Sequence, residues 1–472
     1  DSSVTELNLR RNSFTELVDN MFSNFTSLTH VYLTSNQISQ VSPVAFTGCP
    51  IAVIAIDFNR LTAFPDFNAI SGSLRTLTIS HNPLTHIKDQ DVENLLLTHL
   101  YAFGIHFNLS YGLFHNLKNT ISDTHMAYLN DITDELSSVF EHYTVLESLR
   151  LDKNEISTFP DVSPLSKTLR SLDLNYNNIS SIPSNIFANF TSLAELTMKE
   201  NPLREIPNLG AAANNLETLL HLDGNSISVL PSDIFDGYIS LTTLTLSRNL
   251  LTDYVKTDSG LDIIPTDIPV GVTSVNLQKN QLTSLGSNSF SAYGDLSELN
   301  LGKNDITWIS PEAFEGCPIT YLNVYGNQLT SIPDFSAIEL HNREALVYLD
   351  LESNILNYID KDAFNETSLV FLNLKSNMLT ELRGWTGIGE TLQKLIIAHN
   401  QLTWIARAFR GTSIANLFLS RNSLSQMPDL CAINQTLELI HLNRNLLSFI
   451  SSQEVECLSL LKTFSIENCQ IT

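Results

Sequence analysis

The 472-residue sequence is poor in positive charge, because 26 Lys and Arg residues stand against 50 Asp and Glu residues for a formal net charge of −24. Nucleic acids and anionic membranes are bound by clustered positive charge, so the composition argues against both as partners. The sequence also has no run of about 18 apolar residues, which argues against membrane insertion of this segment. Charge of this sign and size mostly keeps a large protein in solution.

Catalytic signatures are missing as well. The sequence has no H-E-x-x-H, G-x-S-x-G, P-loop or C-x-x-C pattern, and the glycine-rich stretch 384–390 follows no dinucleotide-binding unit. Five of the 12 histidines crowd one region, but their spacing is not that of a zinc site. We therefore expect no enzymatic activity, no metal and no cofactor. The clustered histidines are His99, His106, His115, His125 and His142.

Cysteine is scarce, with five residues in the chain, so the fold does not depend on a disulfide framework. Cys49 and Cys317 are predicted to be buried thiols that pack as small apolar residues. Cys469 is predicted to be buried too. Cys431 and Cys457 form a candidate disulfide, whose geometry the sequence does not give.

The sequence is rich in a short repeat of leucine and asparagine. Segments 169–182 (LRSLDLNYNNISSI), 296–309 (LSELNLGKNDITWI) and 369–382 (LVFLNLKSNMLTEL) share the pattern L-x-x-L-x-L-x-x-N-x-L-x-x-I. An asparagine fills the anchor position 17 times, mostly at intervals of 22 to 25 residues. Two degenerate repeats and a last anchor at Cys469 bring the total to about 20 repeats.

The pattern has a direct physical reading. Alternating apolar residues in L-x-x-L-x-L are typical of a strand with one buried face. A strand this short cannot bury its leucines alone, so successive repeats must stack into a parallel sheet over a continuous core. The anchor asparagine is predicted to be buried as well, since its amide both donates and accepts and can satisfy a tight turn and the next coil.

Two residue types recur after the anchor. Proline six residues later fixes φ and removes a donor where no helix should start. Phenylalanine ten residues later is predicted to form a second buried column. These phenylalanines are Phe22, Phe46, Phe187, Phe235, Phe290, Phe314 and Phe364.

These motifs resemble the leucine-rich repeat family, in its typical extracellular subtype of about 24 residues per repeat. The resemblance covers the whole chain. It implies an α/β solenoid, a horseshoe or superhelix of about 20 repeats, with a concave parallel β-sheet and irregular coil with short helical turns on the convex side. The family usually binds other molecules, often proteins, without catalysis.

A longer period lies over the short one, because the segment 45–70 returns in similar form at 313–338, with Cys49 matched to Cys317. We therefore predict one continuous solenoid over 1–472, with a first copy of 11 repeats at 1–268 and a partial second copy of nine repeats at 269–472. Neither end shows the cysteine-rich cap that the resemblance implies. The chain is expected to be a segment of a longer array, or else to have its ends covered by neighbours.

Four aromatic residues break the small and polar character of the predicted solvent-facing strand positions. They are Tyr321, Tyr325, Tyr348 and Phe371. They fall on three successive strands and should be neighbours on the concave sheet, where exposed aromatics make good anchors for a protein partner. Ordinary surface variation is the competing explanation. The corresponding residues of the first copy are Val53, Asp57, Thr76 and His99.

Six Asn-x-Ser/Thr motifs predict N-linked glycans and a secreted or extracellular protein. None falls on a strand position, so glycans there would leave the sheet free as a contact surface, although the outer coil is also where Asn is tolerated. The candidate sites are Asn24, Asn108, Asn178, Asn189, Asn365 and Asn434.

Two segments exceed the usual repeat length, 253–272 by about seven residues and 335–346 by about three or four. Loops that leave a rigid scaffold often contact partners. Both segments are therefore candidate binding loops, with a tolerated insertion as the alternative.

The sequence leaves two functional classes open, both extracellular, glycosylated and directed at proteins. The first, which we place ahead, is a structural or adhesive scaffold segment of a tandem array that assembles into matrix or filament, with further copies of itself as partners. The duplication and the missing caps favour it. The second is a ligand-recognition ectodomain of a receptor or innate-immune protein that uses the concave face, and the aromatic group favours it.

Overall fold

The computed structural model divides the chain into two compact units, an N-terminal unit of Asp1–Ser226 and a C-terminal unit of Ile227–Thr472. Each unit is a solenoid of parallel strands, so the predicted fold class is confirmed. The duplication boundary between positions 268 and 269 stays a prediction. The structure describes residues 3–85, 87–104, 117–126, 140, 143–209, 212–213, 216, 219–230, 240–251, 271–287, 289–291, 293–335, 346–365, 367–384, 388–405 and 408–471.

In the described part of the N-terminal unit, ten strands of three residues form one parallel sheet. Consecutive strands pair in register, so that Leu172 lies opposite Leu149 on one side and Leu196 on the other. Two outer strands, Glu16–Leu17 and Gln40–Val41, pair with each other. The ten strands are Glu6–Asn8, His30–Tyr32, Val53–Ala55, Thr76–Thr78, His99–Tyr101, Asp123–His125, Ser148–Arg150, Ser171–Asp173, Glu195–Thr197 and Leu219–His221.

The described part of the C-terminal unit repeats this plan with ten more parallel strands in register. They are Thr243–Thr245, Ser274–Asn276, Glu298–Asn300, Tyr321–Asn323, Tyr348–Asp350, Phe371–Asn373, Lys394–Ile396, Asn416–Phe418, Leu439–His441 and Thr463–Ser465. Two outer pairs accompany them. These are Ser284–Leu285 with Trp308–Ile309, and Glu381–Leu382 with Trp404–Ile405.

Helix content is low, and the helices are short. Ser452–Val455 begins where the Glu454 carboxylate accepts a hydrogen bond from the Ser451 N–H at 2.7 Å, as in a capping box. Among the described residues, no helix has the length and hydropathy needed to span a bilayer. The other elements are the α-helix Asp89–Val92 and the 3₁₀ helices Asn68–Ile70, Ser163–Leu165, Pro311–Phe314 and Leu430–Ile433.

The core of each unit follows the repeat pattern. The central residue of an inner strand is fully buried, as at Leu172 and Leu349, whereas Leu7 and Phe464 in the outermost described coils are half-buried. The predicted phenylalanine column is confirmed for the six members that the structure describes, all of them buried; Phe235 lies outside the described residues.

The predicted asparagine ladder is confirmed as well. The Asn177 amide donates to the carbonyls of Leu174 at 3.0 Å and of Leu151 in the preceding coil at 2.9 Å. Its oxygen accepts a hydrogen bond from the N–H of Ile156, also in the preceding coil. Each buried asparagine therefore links two coils by hydrogen bonds to backbone groups that would otherwise be unpaired in the turn.

The residue before each described anchor takes the left-handed conformation, a feature that the repeat pattern did not predict. Tyr176 has φ of 55° and His81 also 55°, while Gly224 and Gly326 hold the same position in other coils. The Tyr176 N–H donates to the Lys199 carbonyl of the next coil at 2.7 Å, which helps offset the strain of this conformation.

Candidate protein-binding surface

Three of the four predicted aromatic residues form a continuous stack on the sheet of the C-terminal unit. Tyr321, Tyr348 and Phe371 begin three successive strands, and parallel pairing places each opposite the next. The ring centroids of Tyr321 and Tyr348 lie 4.2 Å apart, and those of Tyr348 and Phe371 lie 4.3 Å apart. In-register strands about 4.8 Å apart impose this spacing. We call the three residues the sheet-face stack.

A lysine extends the sheet-face stack to further strands. The Lys394 Nζ lies 5.3 Å from the ring centroid of Phe371 and 5.7 Å from that of Phe418. Phe418 in turn contacts His441, with centroids 5.1 Å apart. An ammonium group over an aromatic face within about 6 Å is attracted by the ring quadrupole. Aromatic and cationic contacts therefore run across six consecutive strands.

Tyr325, the fourth predicted member, turns toward the preceding coils instead. Its hydroxyl accepts a hydrogen bond from Gln278 Nε2 at 2.6 Å. Its ring occupies space that a side chain at Gly302 would fill, since a Cβ there would lie 2.3 Å from the Tyr325 ring. The structure therefore separates Tyr325 from the three residues with which the sequence grouped it.

A charged network borders the stack. Asn373 donates to the carboxylates of both Asp350 and Glu352, and Lys375 Nζ lies 2.6 Å from a Glu352 oxygen. Burial raises the pKa of Asp350, and burial, with repulsion from its neighbours, also raises the pKa of Tyr348. Burial acts to raise the pKa of Glu352 too, but the hydrogen bonds from Lys375 and Asn373 outweigh it and hold that pKa below its ordinary value.

Replacing Glu352 with glutamine should lower the free energy of unfolding by about 0.5–1 kcal/mol at neutral pH, because Lys375 then loses its charged partner in a partly exposed pair. The ionised carboxylate stabilises the fold above its ordinary pKa, and this contribution is lost as the pH falls through the lowered folded pKa. The difference between variant and wild type should therefore shrink below about pH 4.

Urea unfolding at several pH values measures this difference. Glu438→Gln is the matched control, because Glu438 pairs with Lys462 at 2.9 Å where both side chains are more exposed. It should cost no more than a few tenths of a kcal/mol. If Glu352→Gln lowers the free energy of unfolding by the same amount at neutral and acidic pH, the ionised Glu352 carboxylate is not the group that stabilises the fold.

The N-terminal unit carries a second strip of rings that the sequence did not reveal. Phe58 stacks on His81 with centroids 4.2 Å apart, and His81 meets the edge of Phe103 at 4.7 Å. His125 follows, 2.6 Å from Asp152. Burial acts to raise the pKa of Asp152, but the hydrogen bond with His125 outweighs it and lowers that pKa. Phe58 and His81 project from the left-handed position before the anchor, which the repeat pattern leaves unspecified.

The clustered histidines do not assemble into a site in the part of the chain that the structure describes. His99 lies 2.9 Å from the Thr98 hydroxyl. His106, His115 and His142 are outside the described residues. Where side chains are described, no group of three or more His, Cys, Asp or Glu residues is arranged to hold a metal ion.

The cysteines differ in their surroundings. Cys431 and Cys457 form a disulfide, with Cα atoms 5.6 Å apart, between the outer segments of consecutive coils. Cys49 and Cys317 are buried free thiols, and burial raises the pKa of Cys317 to about 12. Cys469 was expected to be buried but is half-buried, because it occupies the ladder position of the last described coil.

The five predicted glycosylation sites that the structure describes lie outside the strands of the sheet. Asn24, Asn178, Asn189 and Asn365 are exposed, and Asn434 is half-buried. Their glycosylation stays a prediction. Outside the described residues lie Asn108, residues 252–270 and 336–345, and with them most of both candidate binding loops.

Comparison with known proteins gives the family. The sequence profile described as "Leucine rich repeat" matches residues 2–51, 144–203 and 270–329. The chain is a leucine-rich repeat protein. The three matched regions lie in both units, in agreement with the repeat pattern and the stacked strands.

Two known proteins are similar in sequence to part of this leucine-rich repeat chain. Lumican of Coturnix japonica is 30% identical over 225 residues, which cover 46% of the chain and 62% of lumican. Podocan of Mus musculus is 27% identical over 364 residues, which cover 69% of the chain and 53% of podocan. The chain therefore spans between half and two-thirds of the length of these relatives.

Among solved structures, a plant peptide hormone receptor, RGFR1, in complex with RGF2 superposes with a TM-score of 0.53. The two chains are 20% identical, and the match covers 99% of this leucine-rich repeat protein and 90% of the receptor chain. At this identity the likeness shows the fold alone.

Proposed function

We propose that this leucine-rich repeat protein is an extracellular, non-enzymatic binding protein whose sheet-face stack contacts a protein partner. The stack itself carries the proposal. Tyr321, Tyr348 and Phe371 are held at fixed spacing by hydrogen-bonded strands. Rings that are already ordered lose little conformational entropy on binding, and aromatic residues are enriched among the anchors of protein interfaces.

Three features support an extracellular location. The Cys431–Cys457 disulfide is typical of oxidising compartments. The exposed asparagines of the Asn-x-Ser/Thr motifs lie on outer coils or just past the strand, so glycans there would leave the sheet open. The similarity to lumican covers 46% of the chain, and the similarity to podocan covers 69% of it.

The electrostatics suggest which kind of protein would bind. The chain has a net charge of −24, and Asp350 and Glu352 border the stack. Charge of this sign accelerates encounter with a positively charged surface and disfavours an acidic one. A partner with a basic rim around an apolar centre would fit both the carboxylates and the rings.

Replacing Tyr348 with alanine should weaken partner binding at least about tenfold, because it removes the middle ring of the sheet-face stack and leaves the outer two without their shared contact. The measurement is capture from native extracellular fluid on immobilised wild-type and variant protein, followed by binding isotherms with the captured protein. Thr76→Ala is the matched control, since Thr76 holds the corresponding strand position in the N-terminal unit. Partner binding that survives Tyr348→Ala unchanged would refute the sheet-face site.

A second candidate function is a scaffold built from tandem copies. The repeat of segment 45–70 at 313–338 supports it, because duplication of a whole block of repeats is how a longer array would arise. Electron microscopy of the native material should then show fibres or long arrays. Single short particles at all concentrations would argue against assembly and leave the binding role.

A further inference from the structure

The C-terminal unit carries a row of exposed aromatic residues away from the sheet face. Trp308, Tyr358, Trp404 and Phe449 each lie four residues after a buried asparagine of the ladder. Their exposed fractions are 52%, 50%, 55% and 68%, which are high for side chains of this size. In the described part of the chain, none of these rings contacts another ring. We call the four residues the flank row.

The flank row recurs in every second coil. The outer strand pairs place Ser284 opposite Trp308 and Glu381 opposite Trp404, so residues at this position lie side by side in consecutive coils. With about 4.8 Å between paired strands, alternate coils put successive aromatic residues about 9–10 Å apart. The coils between them carry smaller or polar residues at the same position. These are Ser331, Glu381 and Gln426.

The fold does not require these aromatics. At the offset that relates segment 45–70 to segment 313–338, Gln40 corresponds to Trp308 and Ser181 corresponds to Phe449. The same strand arrangement forms with the polar Gln40 side chain. Large apolar side chains in contact with water contribute nothing to the core. A regular line of them is therefore better explained by a ligand than by packing.

We propose that the flank row is a binding site for an extended β-1,4-linked polysaccharide. Successive sugars in such a chain are turned over relative to each other, so the same apolar C–H face returns at every second sugar. Two sugars span a distance close to that of two coils, so one chain can place one sugar face on each aromatic ring. The exposed side chains of Ser331 and Gln426, and the half-buried Glu381 carboxylate that also pairs with Arg383, would then meet the hydroxyls of the sugars between.

The surface area favours this ligand over a second protein. A fully buried aromatic side chain covers about 150–250 Å², so four half-exposed ones offer about 400 Å². A stable protein interface needs about 800 Å² on each partner. A narrow linear ligand needs no more than the row provides.

Depletion assays with microcrystalline cellulose and chitin test the proposal. Starch is the negative control, because its sugars are α-linked and do not present the same face at every second sugar. Wild-type protein should bind cellulose or chitin and not starch. The double variant Trp308→Ala/Trp404→Ala should reduce the association constant at least about tenfold. Matched controls are Phe58→Ala and Tyr176→Ala, which remove rings of 53% and 52% exposure from the N-terminal unit and should leave binding unchanged.

Because the flank-row side chains are exposed, the double variant should keep the wild-type circular dichroism spectrum and unfolding midpoint. Failure of the wild type to bind either β-linked polymer would overturn the proposal, as would equal binding by the double variant. Sedimentation velocity adds a further arm. A concentration-dependent dimer that the double variant abolishes would assign the flank row to a second copy of the chain and reject the polysaccharide. None of these outcomes depends on the sheet-face stack.

Discussion

Replacing Asn377 with leucine should lower the free energy of unfolding by about 3–6 kcal/mol, since each buried backbone group left unpaired costs about 1–3 kcal/mol. The Asn377 amide donates to the carbonyls of Leu351 at 2.9 Å and Leu374 at 3.1 Å, and its oxygen accepts a hydrogen bond from the N–H of Leu356 at 3.0 Å. Leucine fills a similar volume but leaves these three buried backbone groups without this partner. The number of groups that lose a partner decides the size of the effect.

Urea unfolding followed by circular dichroism measures the loss. Asn12→Leu is the matched control, because Asn12 holds the same ladder position but is exposed and donates hydrogen bonds to the Leu9 and Arg10 carbonyls of its own coil. Water can replace those bonds, so the control should cost less than about 1 kcal/mol. Equal losses for the two variants would mean that the ladder does not stabilise the fold by pairing buried backbone groups.

Replacing Phe290 with alanine should lower the free energy of unfolding by about 3–5 kcal/mol. The Phe290 side chain is fully buried, stacks on Phe314 at 6.0 Å and meets the edge of Tyr293 at 5.5 Å. Removing the ring loses its transfer free energy and leaves a cavity between two coils, which their hydrogen-bonded backbones allow to collapse only in part.

The same urea titration measures this loss, with Phe449→Ala as the control. Phe449 is 68% exposed in the same unit, so its truncation should change stability by no more than about 0.5 kcal/mol. Because each coil of a solenoid contacts only its neighbours, the transition of Phe290→Ala should also broaden as cooperativity between adjacent coils weakens. An unchanged midpoint would show that the phenylalanine column is not part of the core.

Much of the candidate binding surface could be predicted from sequence because register follows the repeat. Tyr321, Tyr348 and Phe371 each lie six residues before an anchor asparagine, and strands in register must set them side by side. The same argument failed to place Tyr325. Tyr325 lies two residues before the anchor, where the repeat pattern does not fix the direction of the side chain. Its contacts with Gln278 and Gly302 fix that direction in the folded chain.

The flank row and the ring strip of the N-terminal unit were missed for a different reason. They occupy positions that the repeat pattern leaves open, four residues after the anchor for Trp308 and one before it for His81. Residue type varies there from coil to coil, and the flank row recurs only in alternate coils of the C-terminal unit, so the 22- to 25-residue repeat pattern does not mark these positions. Trp308 is distinguished by its exposure, and His81 by its ring contacts with Phe58 and Phe103, and both are properties of the folded chain.

The sequence by itself determined the stacking of coils, the buried leucines and phenylalanines and the asparagine ladder, because each is required in every repeat and so recurs as a period. The tertiary structure alone decided the left-handed turn before each anchor, the geometry that lets the candidate Cys431–Cys457 disulfide form, the direction of Tyr325 and the exposure of the flank row. The physical reason is that the same strand positions are buried in every coil, so apolar residues recur at a fixed spacing in the sequence. The direction of a surface side chain depends on which neighbour it meets in the adjacent coil, and spacing along the chain does not record that neighbour.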